Sequence, residues 1–562
     1  MEAVTGYLLI GAKWLLPALA LWLLARCVLS MLREQYEPEL WAWLEASDGS
    51  RAALKHWECI LGRAKSCDVV ISRDSVRPTH AALVRSDKGL WTLYDLSGGE
   101  TRNGARTDGG EGLEVRDGDT LFFADQAMTF HDLDETQLAA GEKHRSVPGA
   151  RVGPGVTLLL LTIFQALLTL EYTQATEGRV RVETVLGFAF LILLEWSLYL
   201  LMRAMDRRGF EAETLAFFLC TLGLAVSASS TPSDMPKQIL LLLAGVLVYL
   251  FLGLWLRDLR RTKALRWPVA AAALAFLALN VALGVRENGA SNWLDLGFFR
   301  LQPSEFVKVA YIYVGATSLD RLYRRRNLFL FIGFSAVIVG ALALMGDFGA
   351  ALIFFVTFLV ISFLRSGSFA TVFLAVAGAA LAGFLVLTVK PYIAQRFAAW
   401  GHVWEDPYGA GWQQTQALSA AASGGLTGVG AGRGWLHKVF AADTDMVFCL
   451  VSEELGLLIA LCAVAAVIAL AVFAVRSAPR GRSSYYVIAA CSAAAMLMTQ
   501  LALNVFGSTD ILPFTGVTFP FVSKGGSSLI SCWALLAFFK AADTRQNASF
   551  SVKLSTKRGR SA

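Results

Sequence analysis

Asp445 closes a long glycine-rich loop and directly precedes the apolar run "MVFCLVSEELGLLIA". A helix start favours an ionised acid through its dipole, although such an acid is also an ordinary structural feature. Lys438 stands seven residues earlier, within reach if the loop folds back. A second charged group occurs in "NGASNWLDLGFFRLQPSEFVKVA", residues 288–310, where Glu305 and Lys308 sit three apart on one helical face, with Arg300 shortly before them. A self-neutralising interfacial ion pair is the plain reading. Charges this close to hydrocarbon are nevertheless functional candidates. The third feature is "GSTDILPFTGVTFPFVSKGGSSLIS", residues 507–531, an irregular stretch between two apolar runs. Hydrocarbon cannot satisfy exposed amides, so such backbone needs protein around it or a water-filled cavity beside it. Together these features point to a structured, charged cavity on one face of a membrane. Glu453 and Glu454, two turns beyond Asp445, need partners for the same reason, whether catalytic or structural.

The elements that position these residues are membrane helices. The chain has 562 residues, 55% hydrophobic and only 17% charged, with a mean hydropathy of +0.53, which excludes an ordinary soluble globule. Apolar runs near bilayer-spanning length occur at 7–32, 153–172, 183–203, 213–231, 236–256, 266–284, 304–319, 328–345, 349–366, 369–389, 446–475, 484–506 and 526–541, about thirteen crossings. The first reads as an uncleaved anchor, since no small-residue cleavage site follows it. Eight cysteines, most of them in apolar helices, and six dispersed histidines form neither a disulfide framework nor a metal spacing. The net charge of +6 does not imply nucleic acid, because the basic residues cluster at helix ends: "MRAMDRRGF", "LRDLRRTKALR", "DRLYRRR", "VRSAPRGR" and "KLSTKRGRSA". They predict an external N-terminus and a cytoplasmic C-terminus. "EGRVRVE" at 177–183 falls outside against that pattern.

About 120 residues between the first two crossings differ in texture, alternating apolar residues ("DVVIS", "AALVRS", "LWTLYDL", "DTLFFAD") with Gly or Asp turns, the pattern of an all-β sandwich. "LGR" at 61–63, "DVVI" at 68–71, "THA" at 79–81, "YDL" at 94–96, "NG" at 103–104 and "LEVRDGDTLFF" at 113–123 make this insert resemble a forkhead-associated (FHA) domain. The resemblance implies phosphothreonine recognition by Arg63, by the position occupied here by Arg77, and by the Asn103 loop. Arg77 stands where a Ser is customary and Pro78 follows, and "SGGETRNG" has the wrong length for both usual Asn-Gly turns. A phospho-independent docking module is the alternative.

Residues 210–541 resemble the SEDS (shape, elongation, division and sporulation) family of RodA and FtsW. Four separated motifs carry the likeness: "GASNWLDLGFFRLQPSEFVK", "GDFGA" at 346–350, "DTDMVFCLVSEELG" and "ILPFTGVTFPFVSKGGSSL". The resemblance implies a peptidoglycan glycosyltransferase that polymerises lipid II at the outer face of the bacterial cytoplasmic membrane, working with a class B penicillin-binding protein. It implies Asp445 as general base, with Arg300, Lys308, Arg396 and Lys438 as basic residues for the pyrophosphate. Trp293, Glu305, Gln416, Ser523, Lys524, Gly525, Gly526 and Ser527 would shape or line the substrate cavity. A divalent cation bridging the pyrophosphate is chemically reasonable, though no dense carboxylate cluster demands one.

Departures are visible: "SNW" replaces "RRW", "GDFGA" lacks the Pro and Thr of "PDLGT", Lys524 replaces the usual Tyr, and "AAD" replaces "LPE". Asp443 is an adjacent carboxylate able to perturb Asp445. A lipid II flippase and a non-catalytic scaffold organised by the FHA-like insert are the competing readings. The expected architecture is a polytopic α-helical membrane protein with a ten-helix SEDS core and an inserted cytoplasmic all-β sandwich. Its parts are an anchor at 1–35, the FHA-like domain at 50–135, two accessory helices at 150–205, the core at 210–545 and a basic tail at 546–562. Glu195, near the middle of one accessory helix, is a pairing or partner-docking candidate. A cytoplasmic phosphoprotein or other docking partner is expected for the insert.

Overall fold

The computed structural model describes residues 2–33, 39–65, 67–86, 89–107, 112–133, 136–137, 153–175, 182–205, 207, 209–287, 290–295, 297, 300–319, 325–366, 368–389, 400–478 and 481–543. The basic tail at 546–562 and "EGRVRVE" up to residue 181 lie outside them.

The insert is a β-sandwich. Its strands are β1 (Ala42–Ala46), β2 (Arg51–Leu54), β3 (Glu58–Gly62), β4 (Val69–Val70), β5 (Ala81–Arg85), β6 (Trp91–Asp95), β7 (Thr101–Asn103), β8 (Arg106–Thr107), β9 (Leu113–Val115), β10 (Thr120–Phe123) and β11 (Gln126–Asp132). One sheet runs β2-β1-β11-β10-β7-β8 and the other β4-β3-β5-β6-β9. The period of two that marked the sequence puts Leu44, Leu61, Leu83, Trp91, Leu93, Leu121, Phe123 and Phe130 between the sheets. Trp91 meets Phe130 edge-on at 5.5 Å.

Every apolar run expected to cross the membrane contains a helix, and among the described residues ten of these helices are long and apolar enough to do so. Two shorter helices, Pro303–Ser318 and Gly526–Ala542, carry polar residues that the sequence marked as functional. The chain is a multi-pass membrane protein. The run at 446–475, expected as a single crossing, is two helices, Val447–Leu455 and Leu457–Ser477. The break falls at Gly456, which has φ +95°, and a Cβ there would lie 2.3 Å from the Leu426 carbonyl oxygen. Hydrophobicity runs straight through this point, which is why periodicity alone hid it. Two further elements arise in segments expected to be loop: the helix Trp412–Gly424, and a small sheet of β12 (Val285–Glu287), β13 (Ala290–Asp295) and β14 (Arg300–Leu301).

The helix Glu211–Ser230 is almost wholly buried, so it forms the centre of the bundle. Helices Glu2–Arg33, Pro154–Ala175 and Val182–Ala204 pack around it. Glu195 is fully buried and accepts hydrogen bonds from Gln165 Nε2 at 2.9 Å and Thr162 Oγ1 at 3.3 Å. Gln165 also donates to Thr221 Oγ1 at 3.0 Å, so this polar cluster ties the two accessory helices to the central one. In an apolar surrounding such groups must find partners.

The sandwich docks at the end of the bundle formed by residues 481–484 and the short helix Leu259–Ala264. Glu39 makes a two-pronged ion pair with Arg482, both residues being about 5% exposed or less. Glu58 meets Lys263 at 3.2 Å and the hydroxyls of Ser483 and Ser484. The opposite end of the bundle, where Leu457 N donates to the Gly425 carbonyl, holds the candidate site.

Candidate functional site

Asp445 is not in the first turn of a spanning helix. It ends a separate turn, Ala442–Asp445, entered through Ala441 at φ +60°, and Met446 divides it from the next helix. The turn is held in place by polar side chains. Asn504 Nδ2 donates to the carbonyls of Asp445 at 3.1 Å and Val517 at 2.8 Å. Ser523 Oγ donates to the Thr444 carbonyl at 2.5 Å and accepts from the Phe519 amide at 2.7 Å. Lys524 N donates to the Asp443 carbonyl at 2.8 Å. The irregular 507–531 stretch thus wraps the turn carrying the carboxylate and takes its own polar groups from it, which is how such backbone is satisfied at a membrane edge.

The carboxylate itself is half-buried. Gly516, exposed and at φ +67°, lies directly over it, where a Cβ would approach Oδ2 to 3.2 Å. Burial is the largest influence on Asp445 and raises its pKa to about 6; a hydrogen bond from Thr444 opposes the rise and the neighbouring Asp443 charge adds to it. Asp443 is engaged elsewhere: Lys524 Nζ bridges Asp234 at 2.8 Å and Asp443 at 3.5 Å, and also meets Thr231. Lys524 therefore neutralises one of the two neighbouring acids. Asp234 was missed from sequence because nothing near it in the chain hints at a partner some 290 residues away.

The motif at 302–308 joins this region through the Gly526–Ala542 helix. Gln302 N donates to Ser527 Oγ at 3.1 Å, and Gln302 Nε2 lies 3.5 Å from Asp347 in "GDFGA". Gly349 of that motif sits against Thr515 and Val517, with room for no side chain. All four motifs therefore converge at one end of the bundle. Glu305 and Lys308 pair at 2.7 Å, both buried, and Ser531 Oγ donates to Glu305 at 2.6 Å. They face each other and Ser531 inside the bundle and not an open surface. Beside them an apolar groove of about 360 Å³ opens between helices, lined by Phe251, Trp255, Phe306, Val309, Tyr313 and Ser531 among others. Trp293 is half-buried on β13, while Arg300 is exposed at the sheet's edge with Asp295 at 3.6 Å. Gly525 and Gly526 open the last helix, where a Cβ at Gly526 would strike Leu241. Arg396 lies outside the described residues.

Gln416 and Lys438 belong to the loop that precedes Asp445. Gln416 is half-buried on the Trp412–Gly424 helix, which packs on Val447–Leu455, and Lys438 is exposed on a turn that abuts the Asp445 turn. Glu453 and Glu454, whose partners the sequence left open, hold this loop. Glu453 accepts from the amides of Trp435 at 2.8 Å and Leu436 at 3.0 Å, and Glu454 from that of Gly432 at 2.9 Å. Charge-assisted bonds of this kind are the stronger class. Among the described residues no group of three or more His, Cys, Asp or Glu side chains is arranged to hold a metal ion.

At the far end of the sandwich Arg63 pairs with Asp74 at 2.9 Å and Arg77 with Glu100 at 3.3 Å, all four exposed. Asn103 Nδ2 donates to the Glu114 carbonyl and to Asp119, holding the β9–β10 turn. Strand register places this end away from the helices: Leu61 pairs with Ala81 there, whereas Glu58 pairs with Val84 at the docked end.

The family model for FtsW/RodA/SpoVE, described as cell cycle protein, matches residues 215–548, and the FHA domain model matches residues 59–124. The peptidoglycan glycosyltransferase RodA of Mycobacterium bovis is 30% identical over 54% of this chain and 68% of its own length. The probable peptidoglycan glycosyltransferase FtsW of Coxiella burnetii is 33% identical over 49% of this chain and 77% of its own. The solved structure of the Thermus thermophilus rod shape determining protein RodA is 26% identical, covering 58% of this chain and 94% of that one, with a TM-score of 0.44.

Proposed function

Because the chain belongs to the FtsW/RodA/SpoVE family, we propose that it polymerises lipid II into glycan strands, with Asp445 as the general base. The observation that carries this reading is the convergence of four sequence-distant motifs at the end of the bundle that holds the half-buried Asp445.

Asp445 would take the proton from the 4-hydroxyl of the acceptor sugar as that oxygen attacks the anomeric carbon of the donor. The anomeric carbon–oxygen bond breaks with inversion, and undecaprenyl pyrophosphate leaves. A base held near pKa 6 is ionised at neutral pH yet basic enough to receive a proton. We assign the leaving group's charge to the chain's own cations, Lys438 on its exposed turn, Arg300 exposed at the edge of the small sheet, and Arg396 of the loop that precedes Asp445 in sequence. Lys308 and Glu305 build the wall below, and the apolar groove beside Phe306 takes the polyprenyl tail. Ser523, Lys524, Gly525, Gly526 and Ser527 shape the edge above.

The arrangement supports an outward-facing site. Arg257, Arg260, Arg261, Lys263 and Arg266 cluster where the sandwich docks, at the end opposite Asp445, and such residues favour the cytoplasm. The sandwich and C-terminus are then cytoplasmic and the N-terminus external. A class B penicillin-binding protein is the expected partner for cross-linking the product. The FHA-like module is assigned a cytoplasmic partner: its Arg63 and Arg77 are paired with the exposed acids Asp74 and Glu100, contacts worth about 0–1 kcal/mol, which a phosphate can displace.

The test gives purified full-length protein, reconstituted in proteoliposomes, lipid II with and without a cognate transpeptidase. Glycan polymer that disappears in Asp445→Asn supports the proposal. Movement of lipid II between leaflets without polymer, or neither activity, overturns it.

A further inference from the structure

The turn at residues 428–433 lies just upstream of Lys438 and is gripped from two sides. The core supplies Glu454, which accepts from the Gly432 amide at 2.9 Å. The core also supplies the Glu453 and Glu454 carbonyls, which accept from the Val429 and Gly430 amides at 2.9 and 3.0 Å. Further contacts come from helices upstream of residue 215, where the family match begins. Lys13 Nζ donates to the Gly428 carbonyl at 3.2 Å. Glu171 accepts a backbone hydrogen bond from Ala431 and faces Lys13 and Arg433. The Tyr172 hydroxyl sits 2.8 Å from the Ala225 carbonyl, 2.9 Å from Ser229 Oγ and 3.2 Å from Glu454 Oε2.

A helix that served only as an anchor or as packing would gain nothing from placing a lysine, a glutamate and a tyrosine at this level, since each must be desolvated and partnered near hydrocarbon. Here all three converge on one short turn and on the carboxylate that holds it. That turn continues into residues 436–438, which abut the Asp445 turn. Its own glycines leave little internal stiffness: Gly428 and Gly430 have positive φ, and a Cβ at Gly428 would lie 2.2 Å from the Glu454 carbonyl oxygen. The loop's shape is therefore set by what it rests on.

We infer that the helices Glu2–Arg33 and Pro154–Ala175 are a built-in brace for the reaction loop, with Lys13 and Tyr172 as positioning residues that act through residues 428–438 on Lys438 and Asp445. The inference rests on the glycosyltransferase reading of that site. It gives the two N-terminal helices a role in catalysis without contact to substrate. Because the sandwich is inserted between these same helices, the brace also connects the two ends of the molecule.

The experiment compares full-length wild type with Tyr172→Phe, Lys13→Met and Lys13→Arg by amide hydrogen exchange, thermal unfolding and lipid II polymerisation kinetics. Tyr172→Phe and Lys13→Met are expected to raise exchange at residues 428–433 at least about threefold and to lower kcat by about three- to tenfold with KM unchanged, as lost hydrogen bonds of ordinary strength would. Lys13→Arg should restore both, and the thermal midpoint should not move. Unchanged exchange at 428–433, a rise spread over the whole chain, or local loosening with full kcat would each overturn the inference. If the wild type makes no polymer, the glycosyltransferase reading fails, while the exchange arm still decides whether the brace exists.

Discussion

The carboxylate at 445 was legible from sequence because its loop and the helix after it carry a family motif; its environment was not. A half-buried position raises its pKa to about 6, and Asp443 contributes to the rise. The sign for activity follows directly. The base works ionised, so the polymerisation rate should fall as pH drops through about 6 and level off above it. Asp443→Asn removes a negative neighbour and should move that midpoint down. Lys524→Met frees Asp443 from its cation and should move it up. Rate–pH profiles of the three proteins check this, and a midpoint that does not respond to either change would remove Asp443 from the electrostatics of the site. Asp445→Asn should lower the rate by about 10²–10⁴-fold, the usual contribution of a positioned base, with no loss of folded protein.

At the scale of elements, composition and apolar run length were enough to place each helix among the described residues that is long and apolar enough to cross a bilayer, because crossing demands length and hydrophobicity that few other structures require. Alternation likewise revealed the sandwich. What stayed hidden were the departures from regularity: the break at Gly456, the helix Trp412–Gly424 and the three-stranded sheet at 285–301. Each is fixed by contacts between segments distant in sequence, and no local pattern reports those. The pairing of Lys524 with Asp234 and of Glu453 with the 435–436 amides belongs to the same class. Gly456 offers the sharpest test, since its φ of +95° and the carbonyl oxygen 2.3 Å from a notional Cβ both oppose a side chain. Gly456→Ala should destabilise the protein by about 1–3 kcal/mol through strain and overpacking. A lowered apparent thermal midpoint in detergent is the measurement, and tolerance of alanine would mean that the break is not sterically enforced.

Over the whole molecule, the sandwich and the site occupy opposite ends of the helical bundle, and the docking contacts are too buried to be incidental. Glu39 and Arg482 neutralise each other within an interface that also holds Trp41 and Trp57, with the Arg482 guanidinium 5.6 Å and 6.0 Å from their rings. Each charge is tolerable there only because of the other. Two variants separate charge pairing from packing. Arg482→Gln leaves Glu39 buried without its cation and should weaken docking by about 3–5 kcal/mol, whereas the double change Glu39→Leu with Arg482→Met replaces the pair by apolar volume and should cost little or nothing. Limited proteolysis between the anchor helix and β1, with intact helices as the internal control, reads out whether the sandwich has come away. Faster cleavage in the single variant and protection in the double variant would identify a pre-formed rigid interface. Such an interface leaves the Arg63 and Arg77 end of the sandwich directed away from the helices and ties any partner caught there to the helices that support the reaction loop. Equal cleavage in wild type and single variant would show instead that the sandwich is held by its other contacts, with Glu58, Lys263 and the serines at 483 and 484 sufficient without the clasp.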